Sequence, residues 1–430
     1  MTTRVLRAFP AVLALAVLGP MLALGVSTVT ADPAAAVGRY TPKTGATFSN
    51  PLRPEASRRI IRHKVRTINS VPRGEKIRII SWNVKSGLYR DALIRAHKRG
   101  VSVRVLMAGG VADRQGPSGD FHVLKRRLSE GNARRKPAMR SFMRKCVRSC
   151  RGTLGIAHAK SFVFSKAGKA EWIVMGSSAN ATEVAARVQW NDAYTVVGQK
   201  DLYRKAVRVF NEAARDRRAS PPYLSYNYAP GRRAFFQPYA GRHSVGDPVM
   251  RLLAPVKCRG ARRAGVNGRT AIRIAQTAIL DERGVSIARR LKSLWNHGCN
   301  IRIAYTVLGP QIQDILRSPG GRGRVPMRQI AQDFDRDGSF DRYLHSKAMT
   351  ISGHYGQNRS ARITLNGSAN WTKTALRSDE ISFVLRDPAT EQKYASWING
   401  LFTQPPLPGQ RTAMSEPVSR EVLYKNVQIH

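Results

Sequence analysis

Residues 158–165 read HAKSFVFS, and residues 345–352 read HSKAMTIS. Each stretch is followed by an apolar run that ends in a small polar turn, in WIVMGSSANAT (172–182) and RITLNGSANWT (362–372). The two histidines lie 187 positions apart (345 − 158) and the two asparagines, Asn180 and Asn370, lie 190 apart. A repeat that keeps its spacing over so long a distance predicts two lobes related by a duplication.

Each half of the chain also alternates strand and helix patterns. In the first half, IRIISWNV (77–84) and VSVRVLMAGG (101–110) are typical of strands and flank the helical YRDALIRAHKRG (89–100). In the second half, we expect VMRLLAPVKC (249–258) to be a strand, GVSIARRLKSLWNHGC (284–299) a helix and NIRIAYTVLG (300–309) a strand. The alternation predicts an α/β fold, in which each lobe is a mixed, largely parallel sheet flanked by helices.

The expected domain organisation places one lobe in each half of the chain. Between the lobes lies a segment rich in Pro, Gly, Tyr and Arg without a period, which we expect to be a linker or an interface wrap. Its Tyr223, Tyr226, Tyr228 and Phe236 would either bury the lobe interface or stack on nucleic-acid bases. The predicted ranges are a signal peptide 1–31, an N-terminal extension 32–72, lobe 1 at 73–215, the linker 216–247, lobe 2 at 248–405 and a C-terminal tail 406–430.

The composition indicates the sign of the charge that a binding partner would carry. The chain has 73 Lys and Arg against 27 Asp and Glu, a formal net charge of +46. Such a field attracts polyanions, so nucleic acid or an anionic membrane surface is expected. An arginine-rich composition that serves only solubility is the alternative.

The N-terminus and the cysteines indicate where the protein works. Arg4 and Arg7 precede an apolar run that ends in a small-x-small pattern at Ala31, which predicts a cleaved signal peptide and a secreted protein. An uncleaved membrane anchor is the alternative. In an oxidising compartment four cysteines favour disulfides, and we predict Cys146 with Cys150 and Cys258 with Cys299, because each pair stays within one half of the repeat.

The repeated motif has the groups needed to bind and attack a phosphate. His158 and Lys160 are two residues apart, as are His345 and Lys347, so on a strand both side chains of a pair share one face. Lysine neutralises phosphate charge, serine and asparagine donate hydrogen bonds, and imidazole attacks phosphorus or transfers protons. The motif therefore predicts phosphodiester chemistry.

These residues resemble the signature of the phospholipase D superfamily, from about Ile77 to about Phe402. The resemblance implies a pseudo-twofold body with one composite active site between the lobes, and a reaction that requires no metal. It implies that His158 becomes phosphohistidine while His345 acts as general acid and base. It also assigns a phosphate clamp to the remaining motif residues: Lys160, Lys347, Asn180, Asn370, Ser178 and Ser368.

Two further features concern residues expected to lie around the predicted catalytic groups. Asp192 and Glu380 each begin a strand and are expected to hold one imidazole in its useful tautomer, with a salt bridge to an arginine as the alternative. The aspartate of the superfamily signature is replaced by Ser165 and Ser352 in this chain. Its loss in both copies indicates a divergent subfamily and leaves the substrate class open.

An acidic loop precedes His345. Asp333, Asp335, Asp337 and Asp341 follow the D-x-D-x-D spacing of a calcium loop, with Gly338 at the turn. We expect a weak structural calcium site, because Leu344 occupies the position of the bidentate glutamate. Ion pairs with nearby arginines are the alternative.

The sequence thus predicts a secreted phospholipase D-like phosphodiesterase that hydrolyses phospholipids on anionic membranes. A secreted nuclease acting on DNA or RNA is the first alternative, and a non-catalytic polyanion binder is the second. The basic stretch 133–151 would line either approach; an apolar rim would favour lipid and a continuous Arg and Lys groove nucleic acid. A monomer is expected, since both half-sites lie on one chain.

Overall fold

The structure is a computed structural model that describes residues 40–239, 246–334 and 340–406. These residues belong to one compact unit, Ala36–His430. The expected signal peptide and nearly all of the expected C-terminal tail lie outside the described residues. Within the described ranges, no helix is long and apolar enough to cross a membrane.

The described part of the first half forms ten strands and seven α-helices. The strands are β1 (Gly45–Phe48), β2 (Lys76–Ser81), β3 (Val84–Lys85), β4 (Ser102–Ala108), β5 (Phe142–Cys146), β6 (Lys160–Ala167), β7 (Ala170–Ser177), β8 (Ala181–Thr182), β9 (Gln189–Trp190) and β10 (Asp192–Val196). The helices are α1 (Pro54–Ser57), α2 (Arg59–Asn69), α3 (Gly87–Lys98), α4 (Gly109–Ala112), α5 (Asp120–Ser129), α6 (Glu183–Arg187) and α7 (Lys200–Ala213).

The described part of the second half adds eleven strands and five helices. The strands are β11 (Leu224–Ala229), β12 (Arg232–Gln237), β13 (Val256–Lys257), β14 (Ala271–Ile279), β15 (Asn300–Leu308), β16 (Met327–Gln329), β17 (Ala331–Gln332), β18 (Arg342–Leu344), β19 (Lys347–Tyr355), β20 (Asn358–Gly367) and β21 (Glu380–Leu385). The helices are α8 (Pro248–Leu253), α9 (Asp281–Asn296), α10 (Pro310–Arg317), α11 (Lys373–Arg377) and α12 (Pro388–Thr403).

The two large sheets share one topology, which confirms the predicted duplication. Lobe 1 has the order β1-β10-β7-β6-β2-β4-β5, and lobe 2 the order β11-β12-β21-β20-β19-β14-β15-β16. Six strands correspond one to one, from β10 with β21 to β5 with β16. Within these two sheets, parallel pairing is confined to β2-β4-β5 and β14-β15-β16, and each His-x-Lys strand pairs antiparallel on both sides, with the hairpin strand on one side and with β2 or β14 on the other.

The crossover helices end as their sequences predict. After α3, Gly100 has φ of 90°, and after α9, Gly298 has φ of 104°. Such left-handed φ values favour glycine at the position that ends a helix. The parallel strands that they connect are largely buried on both faces, as in β14, where every residue is buried, including the polar Arg273 and Gln276.

The stretch 249–258 differs from the sequence expectation. It begins with helix α8 rather than a strand, because the Asp247 side chain accepts hydrogen bonds from the N–H groups of Val249 and Met250, and Pro248 occupies the first helical turn. Only β13 remains extended there. The strand that corresponds to β2 is β14, further along the chain.

The segment between the lobes contains regular structure. Strands β11 and β12 form a hairpin that extends the lobe 2 sheet beyond β21. One face of this extension packs toward lobe 1: Phe236 is buried in the same cluster as the lobe 1 core, and Tyr228 lies edge-on to Phe383 at 6.4 Å. Tyr223 contacts Phe235 instead, on the lobe 2 side.

The lobes pack through their sheets with little space between them. The Phe383 ring lies 5.9 Å from that of Tyr194. A Cβ on Gly176 would approach the Phe383 ring to 2.6 Å, so this position of the lobe 1 motif requires glycine. Both predicted disulfides, Cys146–Cys150 and Cys258–Cys299, are confirmed.

The acidic loop is described only in part, since Asp335 and Asp337 lie outside the described residues. Asp341 is buried, and its carboxylate accepts a hydrogen bond from the N–H of Phe334. Among the residues that the structure does describe, no group of three or more His, Cys, Asp or Glu side chains is placed to hold a metal ion. The calcium site remains a prediction.

Candidate active site

His158 is held by the second half of the chain. Its backbone N–H donates to the Asp379 carbonyl at 3.1 Å, and its Nδ1 lies 2.7 Å from Glu380 Oε1. An ionised carboxylate only accepts hydrogen bonds, so Nδ1 carries the proton and Nε2 keeps its lone pair. Glu380 thus occupies the orienting position that its sequence context predicts.

His345 repeats this arrangement with the lobes exchanged. Its backbone N–H donates to the Trp190 carbonyl at 2.9 Å, and its Nδ1 lies 3.1 Å from Asn191 Oδ1. The Asn191 amide nitrogen donates to the Ala185 carbonyl at 3.2 Å and to Gln189 Oε1 at 3.1 Å. These bonds fix the amide oxygen toward the imidazole.

The sequence analysis predicted Asp192 beside His345, and this prediction is wrong: the residue there is Asn191. The Asp192 carboxylate accepts instead from Ser346 Oγ at 2.6 Å, Tyr394 OH at 3.0 Å and Asn366 Nδ2 at 3.3 Å. Strand pairing explains the difference: the Ser178 N–H donates to the Asp192 carbonyl and the Ser368 N–H to the Ile381 carbonyl, so the counterpart of Glu380 is the residue before Asp192. The serine spacing alone, 13 positions to Asn191 against 12 to Glu380, does not identify Asn191.

The two serines serve the orienting residues. The Ser178 hydroxyl donates to Asn191 Oδ1 at 2.8 Å, and the Ser368 hydroxyl donates to Glu380 Oε2. Each hydroxyl has a single proton, which these bonds use. The structure thus gives Ser178 and Ser368 a positioning role in place of the expected direct contact with phosphate.

The lysines and asparagines are brought together at one place. Lys160 and Lys347 are buried, and their Nζ atoms donate to the carbonyls of His158 at 2.5 Å and His345 at 2.6 Å. Lys347 also donates to Thr277 Oγ1 at 2.9 Å. The buried Oδ1 atoms of the two asparagines, Asn180 and Asn370, have no hydrogen-bond partner among the described residues. Each amide therefore keeps hydrogen-bonding capacity for a ligand.

The electrostatics join the two half-sites into one. Burial lowers the pKa of His158 to about 4, and the Lys160 and Lys347 charges add to this against the opposing Glu380. Burial likewise lowers the pKa of His345 well below its ordinary value, with the Lys347 and Lys160 charges adding to it. Both imidazoles are thus neutral at pH 7 in the free protein. A bound phosphodiester brings negative charge and so raises both pKa values.

Lys160 and Glu380 respond to the same surroundings in opposite ways. Burial lowers the pKa of Lys160 to about 7, and Glu380 opposes this. Burial acts to raise the pKa of Glu380, but the nearby His158 and Lys160 outweigh it, so the pKa is lowered and the carboxylate stays ionised. The composite site therefore combines two neutral imidazoles, one ionised carboxylate and buried lysines. A bound anion raises the pKa of these lysines and so favours their charged form.

Two buried basic residues that the sequence analysis missed support the turns that contain Asn180 and Asn370, here called the asparagine turns. In lobe 1, Lys64 on α2 donates to the Ala179 carbonyl at 3.0 Å and lies 4.4 Å from the Phe162 ring centroid. In lobe 2, Arg283 on α9 donates to the Asn370 carbonyl at 2.8 Å and pairs with Asp247 at 2.6 Å. A charged residue within the apolar stripe of each helix was the available signal.

Ser165 and Ser352 lie far from this chemistry. Each is seven residues past its histidine, so about 23 Å along an extended strand. Ser165 Oγ donates to Glu75 Oε2 at 2.6 Å, and Ser352 Oγ accepts from the Gly265 N–H at 3.1 Å. Both hydroxyls fasten loops at the opposite end of the sheet.

Comparisons with known proteins agree with this architecture. The family model described as "Cardiolipin synthase, PLD-like domain" matches residues 65–214 and 267–402. No curated protein sequence matches the chain.

Solved structures give the same fold at low sequence identity. Phosphatidylserine synthase from Haemophilus influenzae Rd KW20 aligns with a TM-score of 0.55 and 13% identity, covering 81% of this chain and 85% of that one. Polyphosphate kinase from Porphyromonas gingivalis aligns with a TM-score of 0.53 and 13% identity. That alignment covers 89% of this chain and spans only 55% of the kinase. Likeness at this level shows the fold alone.

The family model covers more than half of the sequence, and both of its matched segments contain one His-x-Lys strand with its asparagine turn. The chain belongs to the PLD-like domain family and, with it, to the phospholipase D superfamily.

Proposed function

We propose that this protein is a secreted phosphodiesterase that hydrolyses phospholipids at the surface of anionic bilayers. The observation that carries the proposal is the rim loop, residues 147–157, which connects Cys146 to His158. In this loop Val147 is 77% exposed and Leu154 is 49% exposed. Ile156 lines a recess together with His158. Exposed apolar side chains beside a catalytic recess are typical of a membrane-binding surface.

The segment before the rim loop adds positive charge to the same approach. Cations next to exposed apolar side chains favour the interface of an anionic membrane, where the charges bind headgroups and the apolar groups enter the acyl boundary. The exposed basic residues before the rim loop are Arg134, Lys136, Arg140, Arg144 and Lys145, and Arg148 follows within the loop.

The rim loop is fastened from behind, so its apolar side chains project from a fixed frame. The Cys150 N–H donates to Asp379 Oδ2 at 2.5 Å, and the Ile156 N–H donates to Ser378 Oγ at 3.0 Å. Arg151 forms a salt bridge with Glu212 at 2.9 Å. A preformed surface loses little conformational entropy on binding, which favours membrane association.

In the proposed reaction, Nε2 of neutral His158 attacks phosphorus and forms an N–P bond, while the bond from phosphorus to the leaving alcohol oxygen breaks. His345 in its protonated form gives its Nε2 proton to that oxygen. Water then attacks phosphorus, gives a proton to His345 and releases His158. Lys160, Lys347 and the two asparagine amides bind the non-bridging oxygens. No metal ion takes part in the chemistry of this superfamily.

The assignment of roles is supported by the two orienting residues. The ring of the nucleophile gains positive charge when the N–P bond forms, and the Glu380 carboxylate beside His158 stabilises that charge. The Asn191 amide is neutral, so protonated His345 has no carboxylate to hold its proton and is the stronger acid. Secretion is supported by the leader-like residues 1–31 and by the two disulfides.

The test measures headgroup release from phosphatidylglycerol and phosphatidylcholine vesicles, with plasmid nicking in parallel, all in EDTA. Wild type should release headgroup, faster from the anionic vesicles, and His158→Ala should not. The double variant Val147→Ser with Leu154→Ser should lose vesicle binding, whereas Val266→Ser, an exposed apolar residue in lobe 2, should not. Nicking that requires His158, without lipid turnover, would replace this proposal with the nuclease.

A further inference from the structure

A second cavity lies away from the catalytic recess. It has a volume of about 650 Å³ and forms where the hairpin β11–β12 meets α8 and the end of β21. Its lining includes Arg232, Arg233, Arg251 and Arg386. Arg232 and Arg233 are neighbours on β12 and so project to opposite faces of the sheet, which leaves Arg233, Arg251 and Arg386 as the guanidinium groups on the side of Tyr223 and Tyr355. None of its described lining residues carries a carboxylate. We refer to it as the arginine cavity.

The arginine cavity is separate from the active site. Glu380 begins β21, and Val384, which lines the cavity, lies four residues further along the strand. At about 3.3 Å per residue the two positions are about 13 Å apart. The recess at His158 shares no described lining residue with the cavity.

The walls of the cavity are apolar and aromatic. Phe235, Leu252 and Tyr355 are buried there, and the Arg386 guanidinium carbon lies 5.0 Å from the centroid of the Tyr355 ring. Burial raises the pKa of Tyr355, and likewise that of Tyr223, so both phenols stay neutral hydrogen-bond donors. The cavity therefore presents cations and neutral donors around ring faces.

The lining of the cavity offers these arginines no carboxylate. Arg233 Nε donates to the neutral Asn227 Oδ1 at 2.7 Å. The charge of Arg232 is partly compensated by the Asp387 carboxylate outside the lining, which also caps α12 by accepting from the Thr390 N–H at 2.9 Å. Guanidinium groups that converge without a carboxylate between them repel one another, and a bound anion relieves that repulsion.

We propose that the arginine cavity binds a small organic phosphate with a planar apolar part, such as a nucleoside monophosphate. Guanidinium forks bind phosphate oxygens in pairs, and a planar ring packs against aromatic side chains. The volume lies in the range of about 300–1,000 Å³ that is usual for small-ligand sites. This binding function goes beyond phosphodiester hydrolysis and uses none of the catalytic groups.

Calorimetric titration of the mature protein with adenosine 5′-monophosphate and with inorganic phosphate tests the proposal. Salt at about 0.15 M limits non-specific attraction to so basic a chain. The nucleotide should bind at least about tenfold more tightly than phosphate, because only the nucleotide uses the apolar walls. The double variant Arg251→Gln with Arg386→Gln should weaken it by about tenfold or more. Arg289→Gln, which removes an exposed charge on α9, should leave binding unchanged.

His158→Ala separates this inference from the proposed hydrolysis. Nucleotide binding should persist in that inactive variant, whatever the fate of the phospholipase assay. Binding lost in His158→Ala but kept in the double arginine variant would place the phosphate in the active site and overturn the inference. Equal affinity for inorganic phosphate, no binding at all, or binding only of phosphatidylglycerol vesicles through these arginines would overturn it too. An unchanged melting temperature of the double variant excludes unfolding as the cause of a loss.

Discussion

His158 and His345 have the same backbone anchor from the opposite lobe, yet one imidazole faces a carboxylate and the other an amide. The hydrogen bonds differ little in length, at 2.7 Å to Glu380 and 3.1 Å to Asn191. The difference lies in one negative charge. A duplicated frame thus fixes where the two histidines lie, and a single difference in the frame gives them different electrostatic surroundings.

The supports of the asparagine turns show the same divergence. Arg283 in lobe 2 forms a salt bridge with Asp247, whereas Lys64 in lobe 1 donates to the Ala179 carbonyl, lies over the Phe162 ring and forms no salt bridge with a described carboxylate. The positive charge beside the turn is therefore less fully compensated in lobe 1 than in lobe 2. The predictions below test this asymmetry, from the largest expected effect to the smallest.

Removing the nucleophile should have the largest effect. His158→Ala should lower kcat by about 10⁴-fold or more, since the covalent step is lost. Mass spectrometry of His345→Ala quenched during turnover should find the phosphoryl adduct on the His158 peptide. An adduct on His345 in the reciprocal experiment with His158→Ala would reverse the roles.

Glu380→Gln should come next, with a loss of about 10²- to 10⁴-fold in kcat. The amide keeps the shape of the residue but removes the charge that stabilises the ring of His158 as it becomes positive. Steady-state kinetics with soluble phosphodiesters, at matched folding by circular dichroism, measure the loss. A change in KM alone, with kcat retained, would contradict this account.

Asn191→Asp should change the pH profile rather than abolish activity. A carboxylate beside His345 raises the pKa of that imidazole, so more of it stays protonated at high pH. If His345 is the acid, kcat/KM should rise on the alkaline side of the profile and stay unchanged on the acid side. A loss on the acid side instead would indicate that His345 is the nucleophile, since its neutral form would then become scarcer.

Lys64→Met should lower kcat by about tenfold and leave the melting temperature unchanged or higher, because a buried charge is replaced by apolar volume. Burial, with the Lys160 charge adding and Asp192 opposing, lowers the pKa of Lys64 to about 7. Its unfolded pKa is near 10.4, so between these values the unfolded chain binds more protons and wild-type stability rises with pH. That rise should shrink in Lys64→Met and persist in Lys98→Met, an exposed control.

Ser352→Asp, which restores the carboxylate of the superfamily signature, should have the smallest effect. Aspartate can still accept from the Gly265 N–H, and the position lies about 23 Å from His345 along the strand. Activity should change less than twofold, within the usual range of about 0.5 kcal/mol for such sites. A tenfold change would show that this end of the sheet is coupled to the reaction.

Much of this molecule could be predicted from local patterns. The repeat gave the two lobes, and the glycines that end α3 and α9 marked both crossover helices. Helix α8 was missed because its apolar residues alone do not distinguish a short helix from a strand, although Asp247 and Pro248 signalled it. The hairpin β11–β12 is formed by pairing with β21, which no local pattern shows.

The site was predicted where residues act within their own motif and missed where residues from outside the motif act on it. Ser178 and Ser368 donate to orienting residues 13 and 12 positions away, and this one-residue difference in spacing hides that Asn191 is the counterpart of Glu380. Lys64 reaches the turn from a helix that precedes the motif by about a hundred residues. Such contacts depend on how the elements pack, and the motif alone does not contain them.

The exchange of anchors between the lobes also bears on how such a protein diverges. In a symmetric dimer of one lobe, both histidines would necessarily face the same residue, since a single gene would encode both copies. Fusion of the copies removes that constraint, because the partner of each histidine is encoded once, in the other half. The difference between Glu380 beside His158 and Asn191 beside His345 is therefore an asymmetry that a fused chain can inherit and a symmetric dimer of one lobe cannot.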